Sequence, residues 1–186
     1  HKADMRKILT VFFLLGLVFS AKAQFGVRAG LSSANFSDTN FNANVGFHVG
    51  GYYRFGTSLL EVEPGIQFGQ KGYETNNPTN GNVITETLNY VDVPILFRLN
   101  FLPAINVFGG PQLSVLASRN YEEPGNVQTS TEPIRGYDLG AVVGIGGYIP
   151  GGINLQLSYD LGLSSLNYFN TDVKNRVLKI SAGFDF

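Results

Sequence analysis

The chain has 186 residues, enough for one domain of ordinary size, and its 13 Lys and Arg against 14 Asp and Glu give a formal net charge of −1. This balance, without a basic run, argues against a nucleic-acid-binding protein. The absence of cysteine excludes disulfides, thiolate metal sites and a cysteine nucleophile. With 23 Gly, 15 Phe and 9 Tyr but only 1 Met and no Trp, the composition favours β-structure over helix.

The first residues are typical of an export signal rather than of a folded element. A positively charged start precedes a twelve-residue apolar run at 8–19, and an A-x-A cleavage site ends at Ala23. The alternative, a membrane-anchoring helix, needs about 20 apolar residues. We therefore predict a leader at residues 1–23, with a cleavable signal peptide from Met5, followed by an exported domain at residues 24–186.

Beyond the leader, apolar residues recur at every second position, which is the period of a β-strand. Most of these segments are long enough for the roughly nine to eleven residues of a tilted membrane-crossing strand. Tight turns alternate with long polar connections, a pattern typical of outer-membrane barrels. The predicted strands are 25–36, 44–55, 58–73, 86–101, 105–118, 135–149, 153–164 and 176–186; the turns are 56–57, 102–104 and 150–152; the long connections are 37–43, 76–85, 119–133 and 165–175.

The charged residues of these strands share the phase opposite to the apolar residues. Alternation alone also suits a soluble sandwich or a lipocalin-like barrel, which buries its apolar phase. The signal peptide, the strand length and the small Gly and Ser of the polar phase favour a narrow membrane barrel, whose closure also removes exposed edges. We predict an all-β, eight-stranded, antiparallel up-and-down transmembrane β-barrel with these charges inside: Arg28, Arg54, Glu61, Glu63, Asp92, Arg98, Asp138, Asp160, Lys179 and Asp185.

Two features of the inward phase raise the question of catalysis. His48 could act as the general base of a lipid-modifying barrel enzyme, with a serine and a carboxylate. Such enzymes act at the lipid-facing surface or rim, whereas His48 lies near the middle of its strand, so we favour a structural role. Glu61 and Glu63 share a face, as a glycosidase pair would. The arginines of the same phase favour a salt-bridged interior instead.

Several motifs resemble the PorT-like outer-membrane β-barrel proteins. The resemblance covers essentially the whole chain after the leader. It implies an eight-stranded barrel in the outer membrane of a Gram-negative bacterium and, for some members of the family, a role in assisting protein secretion. It supplies no catalytic residues. The motifs are NYVDVPIL at 89–96, GGP at 109–111, YDLG at 137–140, SYDLGL at 158–163 and the closing segment 175–186.

The expected partners follow from the same patterns. The closing alternation, with Phe184 and Phe186 on its apolar phase, looks like the recognition signal of the barrel-assembly machinery. We expect contact with this machinery during biogenesis and with the lipid bilayer of the outer membrane afterwards. The long loops could contact an unknown external protein or ligand through Tyr73, Tyr121, Tyr168 and Phe169. The alternative is that these residues belong to an aromatic girdle and to solvated loops. No Gly-rich phosphate loop or metal-ligand cluster occurs, so we expect no cofactor and no metal.

The width of the barrel limits its function. Side chains just fill the interior of an eight-stranded barrel, so we expect no wide diffusion pore. We predict a non-enzymatic outer-membrane protein with a structural or interaction role at the cell envelope, possible assistance to secretion being the family's implication. The alternative is a narrow porin-like channel for small solutes, and a lipid-modifying enzyme is less favoured.

Overall fold

Long strands form where apolar and polar residues alternate. The computed structural model describes residues 23–36, 42–76, 81, 83–123, 126–130, 137–163, 166–168, 171–173 and 175–186. The predicted leader lies outside these residues except for Ala23, the first residue of β1. The strands are β1 (Ala23–Phe36), β2 (Asn42–Gly56), β3 (Leu60–Asn76), β4 (Val83–Leu102), β5 (Ile105–Glu123), β6 (Asn126–Ser130), β7 (Tyr137–Ile149), β8 (Ile153–Gly162), β9 (Leu166–Tyr168), β10 (Thr171–Val173) and β11 (Asn175–Asp185).

Antiparallel pairing closes the sheet on itself. Around the barrel the strands follow the order β1, β2, β3, β4, β5, β7, β8 and β11, and β11 pairs with β1 to complete the circle. The described part of the chain thus contains an eight-stranded, all-antiparallel closed barrel, and the predicted fold class is confirmed. Within the same residues, no helix has both the length and the apolar character needed to cross a membrane.

The two phases of the strands face opposite directions. On β1, the side chains of Val27 and Leu31 are exposed, whereas those of Arg28 and Ser32 are buried. The same alternation recurs around the barrel, so that large apolar side chains cover the outside and charged or polar ones fill the inside. This arrangement is the reverse of a soluble barrel and suits hydrocarbon surroundings.

At the end of the barrel that carries the long connections, strand pairing extends further than the apolar pattern predicts. β5 continues to Glu123, and β6 pairs with this extension. The described parts of segment 119–133, predicted as a loop, therefore form a β-hairpin, and β9 and β10 form a second one within 165–175. The two loop predictions are wrong because backbone hydrogen bonds form between residues that the apolar pattern does not mark. In one case they extend the ladder of β5, and in the other they form a separate two-stranded sheet.

Short turns connect the strands at the opposite end of the barrel. Between β7 and β8, Gly151 and Gly152 have φ angles of 100° and 84°, which favour glycine. A Cβ atom on Gly152 would lie 2.7 Å from the carbonyl oxygen of Asp185. The turn therefore lies close to the end of β11. We call this side of the barrel the short-turn end and the other side the hairpin end.

Candidate functional site

Polar and charged side chains fill the lumen, where they form two groups of ion pairs. Each barrel strand contributes its inward phase, so side chains that are far apart in sequence meet across the narrow interior. Nearest the short-turn end is the Glu63 cluster, which consists of Arg28, Arg54, Glu61, Glu63, Arg98 and Asp185. Toward the hairpin end lies the Lys179 cluster, which consists of Asp92, Gln112, Asp160 and Lys179.

Glu63 on β3 binds three guanidinium groups. Arg28 Nη1 donates to Oε1 at 2.9 Å, and Arg54 donates to Oε2 from Nε and Nη2 at 2.9 and 2.8 Å. Arg98 donates from Nε to Oε2 at 2.7 Å and from Nη2 to Oε1 at 2.9 Å. Hydrogen bonds between ionised groups are about twice as strong as neutral ones. This carboxylate is saturated by arginines, as the prediction of a salt-bridged interior requires.

The other carboxylates of the cluster balance its charge. Arg54 Nη1 lies 3.2 Å from Oδ2 of Asp185, and Arg54 Nε lies 3.9 Å from Oε2 of Glu61. Three carboxylates therefore face three guanidinium groups. Buried charges are tolerated when each is both paired and hydrogen-bonded, as they are here.

Aromatic rings and amides complete the Glu63 cluster. The Arg28 guanidinium lies 4.1 Å from the ring centroid of Tyr52, whose hydroxyl donates to Asp185 at 2.5 Å. The Arg98 guanidinium lies 4.3 Å from the ring centroid of Phe108. The alternation of the sequence does not distinguish these supporting residues from the other residues of the inward phase. They are Tyr52, Asn106, Phe108, Tyr148, Asn154 and Gln156.

The Lys179 cluster is built around a single ammonium group. Lys179 Nζ lies 2.6 Å from Oδ2 of Asp160 and 3.4 Å from Oδ2 of Asp92. Gln112 Nε2 donates to Asp160 Oδ2 at 3.3 Å. Asp138, which is also buried, lines a cavity of about 10 Å³ together with Asp160 and Gln112. One cation thus joins carboxylates from β4 and β8.

His48 lies in the lumen and is 2% exposed. Its Nε2 is 2.8 Å from the hydroxyl of Ser181 on β11, while Nδ1 has no hydrogen-bond partner within the described part of the chain. A catalytic triad needs a third group that holds the histidine ring from Nδ1. Among the described residues, no group of three His, Cys, Asp or Glu side chains could hold a metal ion. Within the described residues, the site is a buried Ser–His contact whose Nδ1 atom has no partner.

The free space of the lumen is divided. Three cavities of about 20, 10 and 10 Å³ lie among its side chains, each close to the size of a water molecule. A vestibule of about 810 Å³ opens at the short-turn end, where it is lined by Arg54, Glu61, Asp185 and Tyr148 among others. The Glu63 cluster therefore forms the floor of this vestibule.

Phe184 and Phe186 lie on the outer surface at the short-turn end. Their ring centroids are 5.2 Å apart in an edge-to-face arrangement, and the Phe186 ring stacks on Phe25 with 6.0 Å between centroids. Both side chains are exposed. Their recognition by the barrel-assembly machinery stays a prediction.

A closed antiparallel barrel with an apolar outside and an ion-paired inside defines an outer-membrane β-barrel. Residues 15–168 match the family model described as outer membrane protein beta-barrel domain. The chain belongs to this family, and the protein is located in the outer membrane of a Gram-negative bacterium. No curated protein matches the sequence.

Solved outer-membrane proteins share this fold at low sequence identity. Neisserial surface protein A is 15% identical with a TM-score of 0.63, over 89% of this chain and 99% of its own. Ail, the attachment invasion locus protein of Yersinia pestis, is 14% identical with a TM-score of 0.54, over 89% and 99%. A major outer membrane protein of Thermus thermophilus is 14% identical with a TM-score of 0.55, over 89% and 100%. Ail has also been solved with the heparin analogue sucrose octasulfate.

Proposed function

We propose that the protein is a non-enzymatic structural barrel of the outer membrane whose lumen is closed by the Glu63 cluster. The observation that carries this proposal is the saturation of Glu63 by three guanidinium groups. The cluster also reaches across the lumen, because Arg98 donates to Gln156 on β8 at 2.7 Å. A solute that entered the vestibule would have to break these contacts to go further.

Single-channel conductance in planar bilayers tests the closure. We expect the wild type to show no conductance of porin size. Glu63→Gln should produce an anion-selective leak, because three guanidinium groups then lack their shared carboxylate. Glu61→Gln is the matched control, since Glu61 lies at the vestibule and 3.9 Å from Arg54. A wide-porin conductance of the wild type would contradict the proposal, and a steady small conductance would favour the narrow-channel alternative.

We propose that the Ser181–His48 contact is structural rather than catalytic. Both side chains are 2% exposed inside the lumen, away from the surface where a lipid would approach. His48→Ala should therefore leave the lipid composition of the outer membrane unchanged in a mass-spectrometric comparison. A lipid modification that disappears with this variant would restore the enzymatic hypothesis.

We propose that the hairpin end faces the outside of the cell and carries the interaction role. Its acidic character favours a cationic partner over a polysulfated one such as the analogue solved with Ail. Immobilised protein should bind oligolysine and not heparin, and Glu122→Gln with Glu123→Gln should weaken the binding; heparin binding would contradict this. The long connections carry five acidic residues, Asp38, Glu122, Glu123, Glu132 and Asp172, and two basic ones, Arg119 and Lys174.

Assistance to protein secretion, the role that the PorT-like resemblance implies, belongs to the same proposal. Deleting the gene and comparing the secreted proteins of the two strains tests it. An unchanged set of secreted proteins would contradict the secretion role and leave only the structural role.

A further inference from the structure

Three prolines lie side by side in the barrel wall. Pro64, Pro94 and Pro111 belong to the neighbouring strands β3, β4 and β5. Proline has no backbone N–H and is normally confined to edge strands or bulges, because it removes a hydrogen bond from the ladder. A closed barrel has no edge, so each proline here interrupts a ladder that has strands on both sides.

The backbone ladders break at these prolines. Within the described strands, β2–β3 pairing lacks Tyr53 and Arg54 opposite Glu63 and Pro64, and β3–β4 pairing lacks Gly65 and Ile66 opposite Val93 and Pro94. The β4–β5 pairing lacks Ile95 and Leu96 opposite Gly110 and Pro111. The ladders β7–β8 and β8–β11 run without such gaps. We call residues 53–54, 63–66, 93–96 and 110–111 the proline seam.

The Glu63 cluster lies directly behind the seam. Arg54 and Glu63 occupy the opposed positions where β2 and β3 lack backbone pairing, and their side chains join the strands at 2.8 and 2.9 Å instead. Arg98 joins β4 to β3 through the same carboxylate. Unpaired backbone groups are costly in hydrocarbon. Between β2 and β3, a side-chain ion pair thus joins the strands at positions that lack backbone pairing.

A small cavity lies on the lumen side of the seam. It measures about 10 Å³ and is lined by Tyr52 and Glu63 of the inward phase and by the outward-phase residues Gly51 and Ile66. On the outer surface, Ile66 is exposed, and the Phe25 ring lies 3.7 Å from the position that a Cβ atom on Gly51 would take. The seam therefore has free space beside Glu63 on its lumen side.

We propose that the Glu63 cluster is a latch on the proline seam, so that releasing Glu63 opens the wall sideways between the lumen and the lipid at the short-turn end. The latch uses the same residues as the proposed closure of the lumen axis. The latch concerns opening through the barrel wall, whereas the closure concerns passage along the barrel axis. Hydrogen–deuterium exchange reports on the first and conductance on the second.

Hydrogen–deuterium exchange of the protein in lipid nanodiscs tests the latch. In Glu63→Gln, amides of the seam such as Ile66 and Leu96 should exchange about tenfold faster than in the wild type. Reference amides in the continuous β7–β8 ladder, such as Ile145 and Leu157, should change little. Lys179→Met is the control, since it breaks the other cluster and should leave the seam as it is.

Restoring backbone donors should rescue the variant. Pro64→Val and Pro111→Val each return an N–H to the ladder on an outward position, so both together should slow seam exchange in the Glu63→Gln background. If Glu63→Gln fails to fold, Arg54→Met can replace it, because it removes one of the guanidinium groups that bind Glu63. This variant should give a smaller increase in exchange, also confined to the seam. Exchange that rises uniformly around the barrel, or no rescue by the two valines, would overturn the latch.

Conductance separates the latch from the axial closure. Faster seam exchange without a leak would support the latch and contradict the closure. A leak without local exchange would support the closure and contradict the latch.

Discussion

The two ends of the lumen neutralise buried charge in different ways. The Glu63 cluster sets three planar guanidinium groups around one carboxylate, with two further carboxylates nearby. The Lys179 cluster sets one ammonium group between two aspartates. Guanidinium groups bind carboxylates in a fixed two-pronged geometry, whereas an ammonium group acts as a point charge.

This difference determines how much each cluster is destabilised when one of its charged partners is removed. A guanidinium group does not lose its proton in a protein, so the arginines around Glu63 depend on that carboxylate. An aspartate that loses its lysine can become neutral by binding a proton, which removes the cost of an isolated charge. We therefore expect the short-turn end to be the more sensitive end.

The largest effect should come from Glu63→Gln. It removes the charge that three arginines share, and breaking a buried ion pair in this way costs about 3–5 kcal/mol. Urea titration of the protein in lipid vesicles measures the change in the free energy of unfolding. A loss below that of Lys179→Met would reverse the comparison between the clusters.

Charges placed on the outer surface provide a reference for the loss of stability that lumen variants cause. Val93→Arg and Leu157→Arg, which face lipid, should each cost about 2–4 kcal/mol in the same titration. Ser158→Arg, one residue from Leu157 but facing the lumen, should cost less, provided that the larger side chain fits. Equal losses for Leu157→Arg and Ser158→Arg would contradict the assignment of the two faces.

Lys179→Met should cost about 1–3 kcal/mol at neutral pH, because Asp160 and Asp92 lose their shared cation. Urea titration of the protein in lipid vesicles measures this loss, and a loss as large as that of Glu63→Gln would contradict the contrast between the two clusters.

The smallest effect should come from Asp185→Asn. Arg54 keeps its two hydrogen bonds to Glu63, and Asn154 and Tyr52 remain bonded to each other at 2.7 Å. We expect a loss of about 1 kcal/mol in the urea titration. A loss as large as that of Glu63→Gln would mean that Asp185, and not Glu63, is the central carboxylate of the cluster.

The sequence predicts the fold and the facing of its side chains. Period-two alternation is enough to assign Val27 to the outside and Arg28 to the inside, because side chains on a strand must point to opposite faces. Tight turns and strand lengths then determine the barrel. Alternation does not predict the structure of the hairpin end, where the pairing of β5 with β6 rests on backbone hydrogen bonds between polar residues.

The partners within the lumen could not be predicted from the pattern. Whether Glu63 meets Arg28 depends on the registers of β1 with β2 and of β2 with β3, which the alternation does not determine. Tyr52 lies on the inward phase like many residues, and only the folded barrel places its ring beneath Arg28. The prolines are visible in the sequence, but their adjacency appears only once β3, β4 and β5 are in register.

The coupling between Arg54 and Glu63 tests the central claim most directly, namely that ion pairs hold the lumen together. Urea titrations of Arg54→Met, Glu63→Gln and the double variant give this coupling. We predict that the double variant loses less stability than the sum of the two single losses, by about 0.5–3 kcal/mol. Strictly additive losses would show that the two side chains act independently and would contradict the account.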